Sequence, residues 1–309
     1  MKSGIMDQFQ PARPVRGTQL LVEHLSGVFR RPSLLAIEIA WRWLFGIPFL
    51  WICWQQAQRI LAAYPLDSSG LASLDTQNPW VEATQISTGF SFYEPHVIAV
   101  LRWLLPAAAI VWIVISGLGR AALSRQLDAQ IRFRPFTMMI FSAGWLALFG
   151  FVSWGWFRSM QWLAATHINV AGEPNLVGYF IWTIFLSLGF FTVFALTSWP
   201  FTIAPVLAGV EGRSALSAFA ESLRLGKPFT SKLVEINLVL GIVKLALIVL
   251  AMVLSAAPLP FGDELGSGVL HMASAASVVF YLVANDFFQV VRLKAFVEFW
   301  KVFRAPESN

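Results

Sequence analysis

The chain has 309 residues, of which 57% are hydrophobic and only 13% are charged. An ordinary soluble domain carries roughly a quarter charged residues, so this composition excludes a protein that folds in water alone. The net charge of +5 is concentrated beside apolar segments, a distribution that favours contact with anionic lipid headgroups over nucleic acid binding.

Six apolar tracts are long enough for the roughly 20 residues that a helix needs to cross a bilayer. They lie near residues 34–56, 97–118, 137–161, 176–198, 231–254 and 268–290. The sequence therefore predicts an all-α integral membrane protein with six transmembrane helices, built as a single membrane domain over residues 1–309. Because residues 1–15 lack the apolar core and cleavage site of a secretory signal, we expect the first tract to be an uncleaved anchor.

Basic residues lie on one side of the predicted bilayer. They precede the first tract, as at Arg30 and Arg31, and they follow the second, fourth and sixth tracts. Residues 60–96 and 255–267 contain acidic residues but no lysine or arginine. The positive-inside rule then predicts that both termini are cytoplasmic, as expected for a multi-pass protein of the bacterial inner membrane.

One stretch of the sequence occurs twice. Residues 119–137, GRAALSRQLDAQIRFRPFT, match residues 212–230, GRSALSAFAESLRLGKPFT, at eight of nineteen positions without a gap. Each copy ends with a proline that is compatible with the first turn of a following helix. The shared motif residues include Gly119, Arg120 and Pro135 in the first copy and Gly212, Arg213 and Pro228 in the second.

The repeated stretch predicts three parallel units, each with an interfacial helix, a turn, an outbound span, an outer loop and a return span. A weaker third copy ends at Arg31 and Pro32, so the units cover approximately residues 16–118, 119–211 and 212–290. Parallel repeats of this kind occur in transporters, and they also arise when a duplication merely builds a helix bundle.

Two amphipathic segments are predicted to lie at the cytoplasmic membrane surface. Residues 16–29 place Leu25 and Val28 on one helical face, and residues 291–304 form a helix with Lys294 on its polar face. We interpret the second segment as a C-terminal membrane-surface helix or as a docking site for a protein partner.

Ionisable residues inside the predicted spans are costly in hydrocarbon and therefore point to function. Glu38 and Arg42 are four residues apart on one helix face, in the favourable order for an ion pair. Arg42 lies roughly 13 Å beyond Ser33 at 1.5 Å per residue, so span one has to turn this face toward protein or water. Two further acids, Glu235 and Asp286, enter the same half of the membrane. The two acids and the ion pair are predicted to line an inward-facing polar cavity, unless they form structural pairs with neighbouring spans or with Arg292.

Two other features of the spans leave alternatives open. Lys244 follows Glu235 by nine residues, which places the two on opposite faces of span five, so Lys244 needs a separate partner. Pro200 and Pro205 interrupt span four, a pattern typical either of broken helices that line substrate sites or of a simple kink.

No enzyme signature is present in the sequence. It has no phosphate-binding glycine loop, no HExxH and no GxSxG motif. The four histidines share no metal-ligand spacing, and the single Cys53 excludes an internal disulfide and a cysteine-based metal site. We therefore expect no catalytic activity, no metal and no cofactor.

The region around the second copy of the repeated stretch resembles a known membrane-protein pattern. The pattern is carried by Pro205, Glu211, Gly212, Ala218, Ser222 and Leu225. It is similar to bacterial six-helix membrane proteins of largely unknown function, among them the membrane domain fused to some glycerophosphodiester phosphodiesterases. The resemblance implies a six-helix fold and membrane placement. It transfers no catalytic residue, because the hydrolase activity of those fusions belongs to a separate soluble barrel.

Two functions are compatible with these features. The first is an accessory or scaffold protein of the inner membrane that binds lipid, or a protein partner at the cytoplasmic face, through surface helices and basic rims. The alternative is a transporter or permease-like protein for a small or amphipathic solute, with the polar cavity as its site. A cavity shared by spans one, five and six favours the second function, whereas dry and mutually paired charges favour the first.

Overall fold

The computed structural model describes residues 25–69, 79–168, 170, 175–225, 227–256 and 267–304. These ranges contain helices and their connections and no β-strand. Residues 25–29 are helical, and in the described ranges eight longer α-helices follow them, with a 3-10 turn at Leu66–Ser69. The helices are α1 (Pro32–Ala63), α2 (Pro79–Leu127), α3 (Pro135–His167), α4 (Leu176–Ser198), α5 (Pro200–Glu211), α6 (Ala215–Leu223), α7 (Lys227–Ala256) and α8 (Ser267–Arg304).

Six helical segments are long and apolar enough to cross a membrane. They are Pro32–Ala63, Thr88–Leu127, Pro135–His167, Leu176–Glu211, Glu235–Val253 and Met272–Lys301. The prediction of an all-helical fold with six helices able to span a membrane is therefore confirmed for the described residues, while the hairpin arrangement, the orientation and the division into three repeats stay predictions. The helix α4 contains no buried residue, as expected for an apolar helix whose sides face lipid.

Proline marks the beginning of several helices. Pro32 begins α1, Pro135 begins α3 and Pro200 begins α5. A proline in the first turn sacrifices no hydrogen bond, since the first amides of a helix have no intrahelical acceptor. Pro228, the other proline of the repeated stretch, occupies the second position of α7.

Glycines on α2 allow its neighbours to approach closely. The helix α1 packs against α2 and α8, α2 against α3, α3 against α4, and α7 against α8. A Cβ atom on Gly119 would lie 2.2 Å from Cγ of Trp41 on α1. A Cβ atom on Gly117 would lie 2.9 Å from the backbone nitrogen of Met139 on α3. In a bilayer there is no hydrophobic driving force between helices, so helix association depends on van der Waals packing. Small residues at the contact allow this packing because they let the backbones approach closely.

The buried residues concentrate at one end of the bundle, where α1 and α3 begin and α2 and α8 end. The short helix α5 lies in the larger cluster, with eight of its twelve residues buried, and it packs against α3, α6 and α8. A smaller cluster joins Val28 to Leu123 on α2 and to Val290 on α8. We call this the basic end, because a surface pocket there is lined by Arg30, Arg31, Lys294 and Lys301, together with Asp128 and Glu298.

The C-terminal segment continues directly from span six. The helix α8 runs without interruption to Arg304, so residues 291–304 are helical, with no break before them. Their placement at the membrane surface stays a prediction. Val291, Phe296 and Trp300 are buried in the two clusters, because the apolar face of this segment packs on protein. Residues 16–24 of the other predicted surface helix lie outside the described residues.

An ion pair connects two helices at the basic end. Lys301 near the end of α8 pairs with Asp128, which directly follows α2. The Lys301 ammonium holds the pKa of the Asp128 carboxyl below its usual range, and a hydrogen bond from the backbone amide of Gln130 has the same effect. The contact therefore ties the end of the second span to the end of the sixth.

The two copies of the repeated stretch have different backbones. In the first copy, Gly119 and Arg120 lie inside α2, which continues to Leu127. In the second copy, Gly212 ends α5 with a left-handed φ of 68°, and the side chain of Ser214 caps α6. A helix commonly ends on a glycine in this conformation, because glycine has no Cβ to clash. The same motif therefore continues one helix and separates two others.

Arg213 in the second copy contacts residues on both sides of the turn between α5 and α6. Its guanidinium pairs with Glu211, and its Nη1 lies 3.6 Å from Oε2 of Glu221 on α6. Its carbonyl oxygen accepts a 3.0 Å hydrogen bond from Nη1 of Arg134, in the first copy. These contacts fix the corner between α5 and α6 and join the two copies.

The close α1–α2 contact predicts a selective effect of adding one methyl group. Gly119→Ala is expected to lower Tm, because the new Cβ would overlap the Trp41 ring and overpacking costs about 1–3 kcal/mol. Gly150→Ala is the matched control, since a Cβ there meets nothing within 4 Å. Thermal unfolding of both variants in one detergent measures the difference. Equal Tm values would contradict the close approach.

Candidate functional site

A polar cavity of about 310 Å³ lies among six helices near the basic end. Its walls come from α1, α2, α3, α5, α7 and α8. The charged side chains in its lining are Glu38, Arg42, Arg120, Lys244 and Arg292. We call it the cationic cavity. Ligand sites commonly have volumes of about 300–1,000 Å³, so this one is large enough for a small polar group.

One face of α1 supplies a fully hydrogen-bonded carboxylate. Glu38 is 2% exposed. Its Oε2 accepts a 2.7 Å hydrogen bond from Nε1 of Trp41, and its Oε1 accepts a 2.6 Å hydrogen bond from Nε of Arg42. The spacings of three and four residues place all three side chains on the same face of the helix. Burial of the charge is therefore compensated locally.

Arg42 also reaches across to α8. Its Nη1 lies 3.1 Å from Oδ1 of Asp286, which is buried. Glu38, Arg42 and Asp286 thus form a triad that joins the first span to the last. The guanidinium carbon additionally lies 5.2 Å from the ring centre of Trp41, within the range of a cation–π contact.

Three further cations converge on the cavity from different helices. Arg120 comes from α2, Lys244 from α7 and Arg292 from α8. Nζ of Lys244 donates to Oε1 of Gln289 at 3.4 Å. In the part of the chain that the structure describes, neither arginine makes an ion pair or a side-chain hydrogen bond. Both are half-buried.

The charges in and beside the cavity do not balance. Four cations, Arg42, Arg120, Lys244 and Arg292, face the two carboxylates of Glu38 and Asp286. An excess of two positive charges therefore remains among the described residues at this site. Because an unpaired charge held away from water is costly, this excess makes the cavity a place where a negatively charged group would be stabilised.

The structure brings three of the four predicted cavity residues together. Glu38, Arg42 and Asp286 come together, but Glu235 does not line the cavity. Lys244 lines it instead. The nine-residue spacing puts the two side chains of α7 on opposite faces, so only one of them can point inward. Glu235 therefore lies outside the group of charged residues that the structure brings together at the cavity.

Arg120 and Arg292 line the cavity, a position that the sequence pattern does not predict for them. The repeated stretch predicts an interfacial position for Arg120, yet α2 continues seven residues beyond it to Leu127. Arg292 falls in the predicted C-terminal surface helix, yet α8 continues unbroken from span six to Arg304. Both arginines lie farther inside their helices than the apolar tracts indicated. The apolar residues within 291–304 were the available signal, because they make the tail too hydrophobic to end the helix at 290.

The interrupted fourth span also borders the cavity. The chain stays helical at Trp199, between α4 and α5 (φ −58°, ψ −38°). The helix α5 then contributes Phe201, Thr202 and Pro205 to the cavity wall. The proline interruption thus turns a lipid-facing helix into a buried helix beside the site.

An apolar groove adjoins the cationic cavity. It has a volume of about 470 Å³ and lies mainly between α1 and α8. Its apolar lining includes Ile47, Leu50, Val279 and Leu282, all of which are exposed. The groove and the cavity share Arg42, Trp112 and Asn285 in their walls.

Comparison with known proteins assigns no family. No protein-family model, curated protein or solved structure matches the chain. The resemblance carried by residues 205–225 therefore stays a prediction. Among the described residues, no group of three or more histidine, cysteine, aspartate or glutamate side chains is arranged to hold a metal ion.

The triad predicts non-additive effects of substitution. Glu38→Gln and Arg42→Gln are each expected to lower Tm, because removing one partner of a buried ion pair costs about 3–5 kcal/mol. The double variant should lose less than the sum, since no buried partner at positions 38 and 42 is then left with an unmatched charge. Arg59→Gln, on the exposed part of α1, is the control and should not change Tm. Additive losses in thermal unfolding would contradict the coupling.

Proposed function

We propose that the chain is a permease-like membrane protein that binds an anionic solute in the cationic cavity. The observation that carries this proposal is the excess of two positive charges, among the described residues, in and directly beside a cavity walled by six helices. A bound anion offsets the free energy cost of holding these cations away from water. Spans one, five and six all line this cavity. A shared cavity is what we expect of a transport site, whereas an accessory protein would need only charges that are dry and mutually paired.

The identity of the donors supports an oxyanion as the ligand. Arg120 and Arg292 present planar guanidinium groups, which match the geometry of phosphate and carboxylate oxygens. Lys244 adds a point charge from a third helix. Because the three cations lie on α2, α8 and α7, a ligand that binds all of them would respond to relative movement of these helices. That dependence is what a permease requires of its site.

The charge distribution supports one orientation in the membrane. In this proposal the basic end faces the cytoplasm of a bacterial cell, and both termini are on that side of the inner membrane. Arg30, Arg31, Lys294 and Lys301 at this end support it. The three parallel units remain part of the proposal, with the cavity on the cytoplasmic side of the bundle.

A second candidate function has one observation in its favour. The surface pocket at the basic end, of about 300 Å³, carries four cations and two carboxylates. Such a pocket suits the headgroup of an anionic lipid. It would serve an accessory protein that binds lipid, or a partner at the cytoplasmic face, without a ligand in the cationic cavity.

Anion binding tests the first function. Purified protein in an uncharged detergent is dialysed against radiolabelled inorganic phosphate. Arg120→Gln and Arg292→Gln are each expected to weaken binding about tenfold or more, because a hydrogen bond to a charged group contributes about 1.5–3 kcal/mol. Arg59→Gln is the matched control and should bind as wild type does. Sensitivity to Lys301→Gln but to neither cavity arginine would favour the second function.

The ligand-free Tm separates binding from a structural role. Removing an unpaired cation should leave Tm unchanged or raise it, because the cost of burying the charge disappears. A marked fall in Tm for Arg120→Gln without ligand would show that the guanidinium stabilises the fold.

Thiol labelling tests access and orientation. In a Cys53→Ser background, Thr202→Cys on the cavity wall is expected to react with a charged, membrane-impermeant reagent in inverted vesicles and not in intact cells. Ser142→Cys is the matched control, since Ser142 is 2% exposed and does not line the cavity. Protection of Thr202→Cys in both preparations would contradict an aqueous route from the cytoplasm. Labelling only in intact cells would reverse the orientation.

A further inference from the structure

The triad lies at the boundary between the cationic cavity and the apolar groove, whose shared wall also includes Trp112 and Asn285. Glu38 lines only the cavity, Asp286 lines only the groove, and Arg42 lines both. Arg42 contacts one carboxylate on each side, at 2.6 Å and 3.1 Å. A single guanidinium therefore stands where a cationic compartment meets an apolar one.

The two compartments have opposite chemistry. The cavity carries the excess of positive charge, whereas the groove is lined largely by exposed apolar side chains of α1 and α8. Trp112 belongs to both walls and packs edge-on against Phe45 of the groove at 5.1 Å. Aromatic rings of this kind suit the junction between a polar group and a hydrocarbon chain.

From this juxtaposition we infer that the ligand is an anionic amphiphile, whose phosphate group occupies the cationic cavity and whose alkyl chain lies in the groove. The inference rests on the proposed function and narrows it to a substrate class. An excess of two positive charges complements a phosphate group. A small free anion would fill the cavity and leave the groove without a role. An uncharged lipid would fill the groove and leave the cations unpaired.

The groove offers a position for a steric test. Gly46 on α1 lines it, and a Cβ atom there meets nothing within 4 Å. Gly46→Phe is therefore expected to fill the groove without disturbing helix packing. Gly150→Phe on α3 is the matched control, because its Cβ position is equally open and Gly150 does not line the groove.

The experiment uses two radiolabelled probes, inorganic phosphate and decyl phosphate, with purified protein in uncharged maltoside detergent. We expect Gly46→Phe to weaken decyl phosphate binding at least fivefold while inorganic phosphate binding stays within twofold of wild type. Gly150→Phe should change neither, and Arg120→Gln should weaken both. Each variant is first required to unfold cooperatively at a Tm close to that of wild type. If Gly46→Phe fails this requirement, Gly46→Leu takes its place.

The possible outcomes separate the inference from the proposed function. Two results would overturn the inference that the ligand is an amphiphile and leave a free anion as the ligand. One is decyl phosphate binding that Gly46→Phe does not affect, and the other is binding of inorganic phosphate without binding of decyl phosphate. Binding of neither probe by wild type would overturn both. Decylphosphocholine bound as tightly as decyl phosphate, and insensitive to Arg120→Gln, would mean that the chain alone is recognised, which also overturns the inference.

Discussion

The contact between Arg42 and its two carboxylates is the interaction on which the interior of the bundle depends. Charged side chains inside apolar helices must find partners or water, and this triad provides partners from the first and last spans. Once α1 and α8 are joined in this way, Arg292 on α8 is directed into the same interior as Arg120 on α2. Satisfying one set of charges thus creates a space in which other charges are left unsatisfied.

Close packing is concentrated at one end of the bundle. The buried clusters surround α5 and the end of α8, whereas α4 contributes no buried residue. Burying apolar side chains against protein gives little free energy advantage over burying them among lipid tails. The buried clusters accordingly lie at the basic end and not along the apolar helix α4. The cationic cavity lies beside this core and is therefore built on the best-packed region.

The six spans could be predicted because length and hydropathy suffice to identify a membrane helix. The Glu38–Arg42 contact could also be anticipated, since it depends only on spacing within one helix. The inward positions of Arg120, Lys244 and Arg292 could not. They depend on where α2 and α8 end and on which face of α7 meets Gln289, and packing between distant segments decides both. Local periodicity excluded Glu235 and Lys244 from sharing a face but did not say which one points inward.

The two glycines that begin the repeated stretch satisfy different physical demands. Gly119 is needed because a tryptophan ring occupies the place of its side chain, whereas Gly212 is needed because its backbone turns left-handed. An alignment of the two copies would score the position as invariant although its constraint has changed. The two copies are therefore similar in sequence but differ in backbone geometry. Any pseudo-symmetry of this bundle is broken at the very motif that suggests it.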